Sequence, residues 1–297
     1  MKKSIKRHWQ LYLLLLLPLV WLFMFSYVPL IGSQIAFRKY NFREGIWGSP
    51  WIGMQNFITF FESKQFVPLL INTLSLSLYN IIAGVFPPII LAISLTYIRH
   101  KRYGKVVQMV TYMPYFISTV LIVGILTQIL SLNGPINTMI KEMGGEAINF
   151  VGERTMFRHI YVLSGLWQAT GYNAVIYLSA LAAVPQELHE AARVDGAGAF
   201  QRILYIDLPS LMPTAVILLI MSCGRVLTLG YEKALLLQNP LNIETSEIIS
   251  TYVYKIGLTS MQYSYSTAIG LFQSVISLIL LLLVNWIAKR LGDTSLI

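Results

Sequence analysis

Five stretches of this chain, residues 8–37, 65–98, 106–140, 159–186 and 256–288, contain no Asp, Glu, Lys or Arg, and a sixth, 208–224, runs 17 residues without one. A charge at the centre of a membrane helix costs roughly 2.5–3.5 kcal/mol on insertion scales, and a helix needs about 20 apolar residues to cross the hydrocarbon core. The gaps therefore predict six spans, near 10–30, 72–97, 107–130, 160–183, 209–230 and 267–288, the fifth running past Arg225 to Gly230. Helices satisfy their own backbone hydrogen bonds, which lipid requires. The expected fold is all-α: a polytopic membrane protein with six transmembrane helices, residues 1–297 forming a single transmembrane domain. Within it, 1–66 hold the first span and an outer loop, and 67–289 hold a five-span core.

Composition agrees. The chain is 56% hydrophobic and 12% charged, against about 25% charged in soluble domains. That excludes a soluble globular enzyme and a disordered chain. In a soluble protein the net charge of +9 would point to nucleic acid. Here the basic residues sit at membrane boundaries, so no nucleic-acid partner is expected. With the N-terminus inside, the inner segments hold twelve of the 22 basic residues on about fifty loop residues, and the other ten spread over about a hundred outer ones. This bias places both termini in the cytoplasm. Lys2, Lys3, Lys6 and Arg7 precede the first span as in a signal peptide, but no small-x-small cleavage site closes its long apolar run, so it reads as retained. Trp9, Tyr12, Tyr97, Tyr103 and Trp286 fall near inner boundaries as interface anchors, and Trp47 and Trp51 mark an amphipathic segment of the first outer loop.

Catalytic and metal chemistry find no constellation. Cys223 is the single cysteine, and His8, His100, His159 and His189 are scattered at span ends without metal-ligand spacing. No Ser/His/Asp or Cys/His set is evident, and Gly104-Lys105 is followed by Val106 rather than Ser or Thr, so no P-loop is present.

The loop between spans four and five, 185–209, differs from the short basic tags elsewhere. Pro185 suits a helix start, and Glu187 and Glu190 favour that helix's N-terminal end. Leu188, Ala191, Ala192 and Asp195 share a face. Gly196 and Gly198 break the helix, and a second short helix is expected to run to Pro209, which opens span five. Small residues and carboxylates make the exposed face a docking surface. The spacing Glu190-Ala191-Ala192, Gly196, Ile206, Leu208, Pro209 is the EAA loop pattern, and seven such identities arise by chance about once in a million chains of this length.

On these residues the chain resembles the permease subunits of type I ABC importers, in the carbohydrate branch similar to maltose-type permeases. The opening, from Trp9 through Pro29, Gly32, Phe37 and Trp51-Ile-Gly to Asn56-Phe57, resembles the larger permease of oligosaccharide and polysaccharide importers. The resemblance implies a cytoplasmic EAA coupling helix that inserts into a separate ATPase, through Glu190, Ala191, Ala192, Asp195, Gly196 and Gly198. It implies a second permease subunit in a heterodimer, two ABC ATPase copies and an extracytoplasmic solute-binding protein. ATP and Mg would sit on the ATPase, with no cofactor in this chain, and the location would be the bacterial cytoplasmic membrane.

Polar residues inside spans mark a path or a helix contact. Span four holds Trp167, Gln168, Thr170, Gly171, Tyr172, Asn173 and Tyr177. Aromatic faces, amides and hydroxyls suit a sugar, and the Gly-Tyr pair resembles the substrate wall of maltose-type permeases. The rival reading is helix packing at Gly171 and Ala174. Span five carries Ser222, Arg225 and Thr228, followed by Tyr231 and Glu232, with Ser222, Arg225 and Glu232 at helical spacing. Val226 and Leu229 stand where the family has amides. Arg225 either faces the path, favouring an acidic sugar such as a uronate, or snorkels or pairs with Glu232. Asn80, Tyr79, Pro87-Pro88 and Pro114-Tyr115 are expected to shape kinks and packing. The alternatives to sugar import are a permease for a non-sugar solute, a membrane-embedded transferase and a channel.

Overall fold

The structure is a computed structural model and describes residues 8–292. Among these residues the regular structure is helical, and strand pairing is limited to two isolated bridges, Arg38 with Trp51 and Asn41 with Gly45. The described residues form two compact units, 8–66 with Val253–Phe272 and Val67–Tyr252 with 273–292.

In the first unit, α1 (Trp9–Phe37) is apolar along its length, and its side chains from Trp9 to Ile31 are all exposed. That is the surface a lipid-facing helix presents. It widens into a π-helical turn at Phe23–Tyr27, where the Val28 N–H bonds back to Phe23. Pro29 follows at once and has no N–H to donate, so the wider turn absorbs the missing bond. After α1 the chain folds on aromatic rings. Phe37 and Trp51 stack with centroids 5.5 Å apart, and the Arg38 guanidinium lies over Trp51 while donating to the carbonyls of Trp47 and Ser49. The segment expected to be amphipathic is thus a four-residue helix, Gly45–Gly48, and a loop built around Trp51. Helix α2 (Gln55–Glu62) turns Phe57 and Phe60 inward, and Phe60 meets Phe66, Tyr265 and Phe272 edge to face.

The second unit takes most of α3 (Phe66–Tyr97). Next, α4 (Lys101–Tyr112) and a 3₁₀ turn Met113–Phe116 meet α5 (Thr119–Ile129) at 98°. The single span expected near 107–130 is therefore broken. Pro114 tightens the turn, Ile117 and Ser118 are extended, and the Ser118 hydroxyl starts α5 by accepting from the Leu121 N–H. Helices α6 (Pro135–Glu142), α7 (Met156–Ala182), α8 (Gln186–Val194), α9 (Ala199–Cys223) and α10 (Tyr231–Leu237) follow, and α11 (Tyr263–Gly292) begins in the first unit and ends in the second.

Two expectations about span five are corrected. The short helix after Gly198 does not stop at Pro209; it continues into α9 through a π-helical turn at Ile203–Asp207, the same device that precedes Pro29. The span also ends at Cys223 rather than Gly230, in turns across 224–227 and an extended stretch to Gly230. Ser222, Arg225 and Glu232 accordingly do not share a helical face.

Four helices are long and apolar enough to cross a bilayer, α1, α3, α9 and α11, or five if the bent α4–α5 pair is one span. Helix α7, where a span was expected at 160–183, has 27 residues, about 40 Å of rise. Its length suffices, but Arg158, Ser164, Gln168, Thr170 and Asn173 lower its hydropathy. Two clusters hold this unit together. Leu76, Phe157, Tyr161, Ala234 and Leu237 join α3, α7 and α10, while Ala92, Ala174, Tyr177, Leu181 and Leu211 join α3, α7 and α9.

Candidate functional site

Between α3, α7, α9 and the turn that follows α9 lies a cavity of about 530 Å³, within the usual range for ligand pockets. Its polar lining includes Ser77, Asn80, Asn173, Tyr177, Ser222, Arg225 and Thr228. A second cavity of about 280 Å³ adjoins it, lined by Gly165, Gln168, Thr170 and Lys233. The two share Asn80, Gly84, Pro88, Tyr161 and Asn173.

Local sequence explains why this region is open and polar. Pro87 and Pro88 remove the donors that the carbonyls of Ala83 and Gly84 would otherwise meet. Gly84 and Pro88 stand on the wall where that backbone is freed. Beyond Cys223 the helix gives way to turns, which brings Arg225 and Thr228 to the lining although they are not on one helical stripe. Ser77 donates to the Val226 carbonyl and Gln273 to that of Leu227, which fixes the turn.

Of the span-four residues, Asn173 and Tyr177 line the larger cavity, and Gln168, Thr170 and Asn173 the smaller. Trp167 lines neither and is 57% exposed. Gly171 is buried, and a Cβ there would overlap the Thr111 carbonyl, so this glycine lets α7 and α4 touch. Tyr172 stacks on Tyr115, centroids 3.8 Å apart and rings 4° from parallel. Gln168 donates to the Ile117 carbonyl at the α4–α5 break. From span five, Ser222, Arg225 and Thr228 line the larger cavity, whereas Tyr231 opens α10 outside both linings. Asn80 and Pro88, expected to serve packing, are wall residues.

Lys233 was not anticipated. It is 8% exposed, its ammonium nitrogen has no hydrogen-bond partner, and it lies 5.3 Å from the Tyr161 ring centroid. Burial pushes it down to about 8. A lysine in an apparent outer loop carries no sign of burial; only the packing of α10 on α5 and α7 creates it.

Helix α8 forms a separate candidate surface. Glu190 and Ala191 are exposed, Ala192 is half-buried, and Gln186 donates to the Glu190 carboxylate. The helix closes in a Schellman motif: Ala197 N–H bonds to Ala192 O and Gly196 N–H to Arg193 O, with Gly196 at φ +82°. Gly198 has an ordinary φ of −66°, so Gly196 alone makes the left-handed break. Asp195 is the exposed cap residue. Beneath α8, Asp207 is 1% exposed; its carboxylate accepts from the Tyr97 hydroxyl at 2.7 Å and lies 3.3 Å from His189 Nε2. The EAA pattern skips position 207, so this tether was not read from sequence. Among the described residues no group of three or more His, Cys, Asp or Glu is placed to hold a metal.

These features define a class, a polytopic helical membrane protein with a partly polar, open cavity between its helices. Residues 84–293 match the family described as the binding-protein-dependent transport system inner membrane component, and the chain belongs to that family. It is a transport subunit rather than an enzyme. It is 42% identical to the polygalacturonan/rhamnogalacturonan transport system permease protein YteP of Bacillus subtilis (strain 168), over 96% of this chain and 89% of that one. It is 40% identical to protein LplB of the same organism, over 99% and 92%. A chain in the crystal structure of a bacterial alginate ABC transporter, in complex with an alginate pentasaccharide-bound periplasmic protein, superposes with a TM-score of 0.90 at 37% identity, covering 99% of both chains.

Proposed function

We propose that this chain is one of two permease subunits of an ATP-driven importer of oligosaccharides in the bacterial cytoplasmic membrane. In this reading α1, α3, the α4–α5 pair, α7, α9 and α11 make six crossings, with both termini in the cytoplasm. The partners are a second, different permease, two ABC ATPases that hold ATP and Mg, and an extracytoplasmic binding protein. Helix α8 docks on the ATPase through Glu190, Ala191, Ala192 and Asp195, with Gly196 and Gly198 shaping its end. The cavity pair is this subunit's half of the path.

The observation that carries the sugar reading is the cavity lining. Amides of Asn80 and Asn173 and the Tyr177 hydroxyl offer both donors and acceptors, and the Ser222 and Thr228 hydroxyls, whose protons go to the Leu218 and Arg225 carbonyls, offer acceptors, which a polyhydroxylated solute needs when it leaves water. The polysaccharide substrates in the names of YteP and the alginate transporter support the same class. The test is purification of the tagged protein from native membranes in mild detergent, with mass spectrometry of what accompanies it. A P-loop ATPase and a second permease are expected, both the ATPase and uptake being lost on Gly196→Trp while the protein still inserts. Recovery alone, or normal uptake by Gly196→Trp, overturns the assembly and its docking helix.

A further inference from the structure

Lys233 is the least explained charge in the second unit. Its side chain is more than nine-tenths buried, its nitrogen has no hydrogen-bond partner, and the acid beside it in sequence, Glu232, is exposed. Tyr161 offers only a ring face at 5.3 Å. A buried ammonium is costly unless an anion or several acceptors meet it. The described residues supply neither.

The space beside it is shaped. Gly165 lines the smaller cavity, and a Cβ there would stand 3.4 Å from Lys233 Nζ and 3.9 Å from Asn80 Oδ1. The missing side chain leaves a niche with a cation on one side and an amide on the other. The linings of both cavities contain no Asp or Glu, but they contain two cations, Lys233 and Arg225. Arg225 forms no ion pair among the described residues. Lys233 is buried without a partner and Arg225 stands exposed on the lining; a path built only for neutral hydroxyls gains nothing from either cation, whereas a solute with carboxylates along its length neutralises each in turn.

We propose that Lys233, in the niche formed by Gly165 and Asn80, is a carboxylate-binding residue of the path that selects saccharides bearing uronic acid units, with Arg225 as a second anion contact. This rests on the oligosaccharide-importer reading and names the charge of its substrate. The carboxylate would meet the Lys233 ammonium where a neutral or esterified sugar leaves it unpaired. Discrimination then comes from the cost of that unpaired group as much as from attraction.

The test uses the whole importer, purified from native membranes with its partners and reconstituted in vesicles with its binding protein. Uptake of labelled trigalacturonate is compared with uptake of its methyl ester. The same binding protein serves every variant, so its own preference cancels in the comparison. Lys233→Met should lower acid uptake at least about tenfold and leave ester uptake within about twofold. Lys233→Arg should keep most acid uptake. Lys233→Met removes a buried charge and should not unfold the protein; recovery of the intact complex checks this. An unchanged acid-to-ester ratio in Lys233→Met overturns the proposal, whether the two rates fall together or stay put. Wild-type uptake of a neutral malto-oligosaccharide with none of trigalacturonate overturns the charge reading alone. Absence of ATP-driven uptake of any saccharide overturns the importer reading with it.

Discussion

Replacing His189 by Leu should release α8 from the membrane-embedded helices without unfolding either. Among the described residues, the pair between His189 Nε2 and Asp207 at 3.3 Å is the one side-chain hydrogen bond or ion pair that ties α8 to another element. Asp207 is 1% exposed, and without His189 its carboxylate keeps only the Tyr97 hydroxyl. Leaving a buried acceptor short of a partner costs roughly 1–3 kcal/mol. Each 1.36 kcal/mol is a factor of ten, so the local opening of α8 should become about 5- to 150-fold more favourable. Hydrogen exchange in the intact complex, read by mass spectrometry on peptides covering 186–194, measures that opening. Tyr97→Phe is the control: it cuts a bond between α3 and α9 and should leave α8 exchange within about threefold. If exchange in 186–194 is unchanged in His189→Leu, α8 is held by backbone and packing, and the tether carries no energy.

Other substitutions test other steps. Gly196→Ala places an L-residue at φ +82° with no neighbour to clash, so it should weaken the α8 terminus by about 1–2 kcal/mol, while Gly198→Ala at φ −66° should cost little; exchange of the 191–197 amides separates them. Gly171→Ala drives a methyl into the Thr111 carbonyl and should destabilise the α4–α7 contact by roughly 1–3 kcal/mol, seen as a lower thermal midpoint of the purified protein. The Lys233 ammonium is held at about 8 because burial favours the neutral amine, so it is charged below that pH and loses its proton above it. Tyr161 and Asn80 flank it from α7 and α3, and Glu232 precedes it. Trigalacturonate uptake should therefore fall from pH 7 to 9 in the wild type. It should stay level in Lys233→Arg, and methyl-ester uptake should stay level in both.

Charge-free runs located the long helices, because a bilayer penalises every ionised side chain in the same way wherever it stands in the sequence. They could not reveal the break near Ser118. Residues on both sides of it are apolar, and the signal is a backbone one: a proline at 114, then two extended residues. Helix periodicity placed Ser222, Arg225 and Glu232 on a stripe that does not exist, since the helix ends at Cys223. Arg225 and Thr228 reach the cavity through turn geometry instead. At Gly171 the small residue serves a helix contact, and at Gly165 it leaves room beside Lys233; only three-dimensional neighbours tell the two uses apart. The loop at 185–209 was legible for a different reason: its end is fixed by glycine chemistry, and the left-handed turn at Gly196 is local. Asp207 was invisible there, because its partners lie 110 residues away at Tyr97 and on the far side of the turn at His189.

The π-helical turn at Ile203–Asp207 makes α9 a single element of 25 residues, about 37 Å of rise, from Ala199 beside the loop to Cys223 at the cavity. Had the chain broken at Pro209, motion at the loop would have been lost in a joint. Over that length a rigid-body tilt of about 5° around the loop end would carry Ser222 roughly 3 Å sideways, about the span of one hydrogen bond, with Pro213 as the one other place inside the helix where it could bend instead. The widened turn that shelters a proline thus keeps the loop and the cavity wall on one continuous helix.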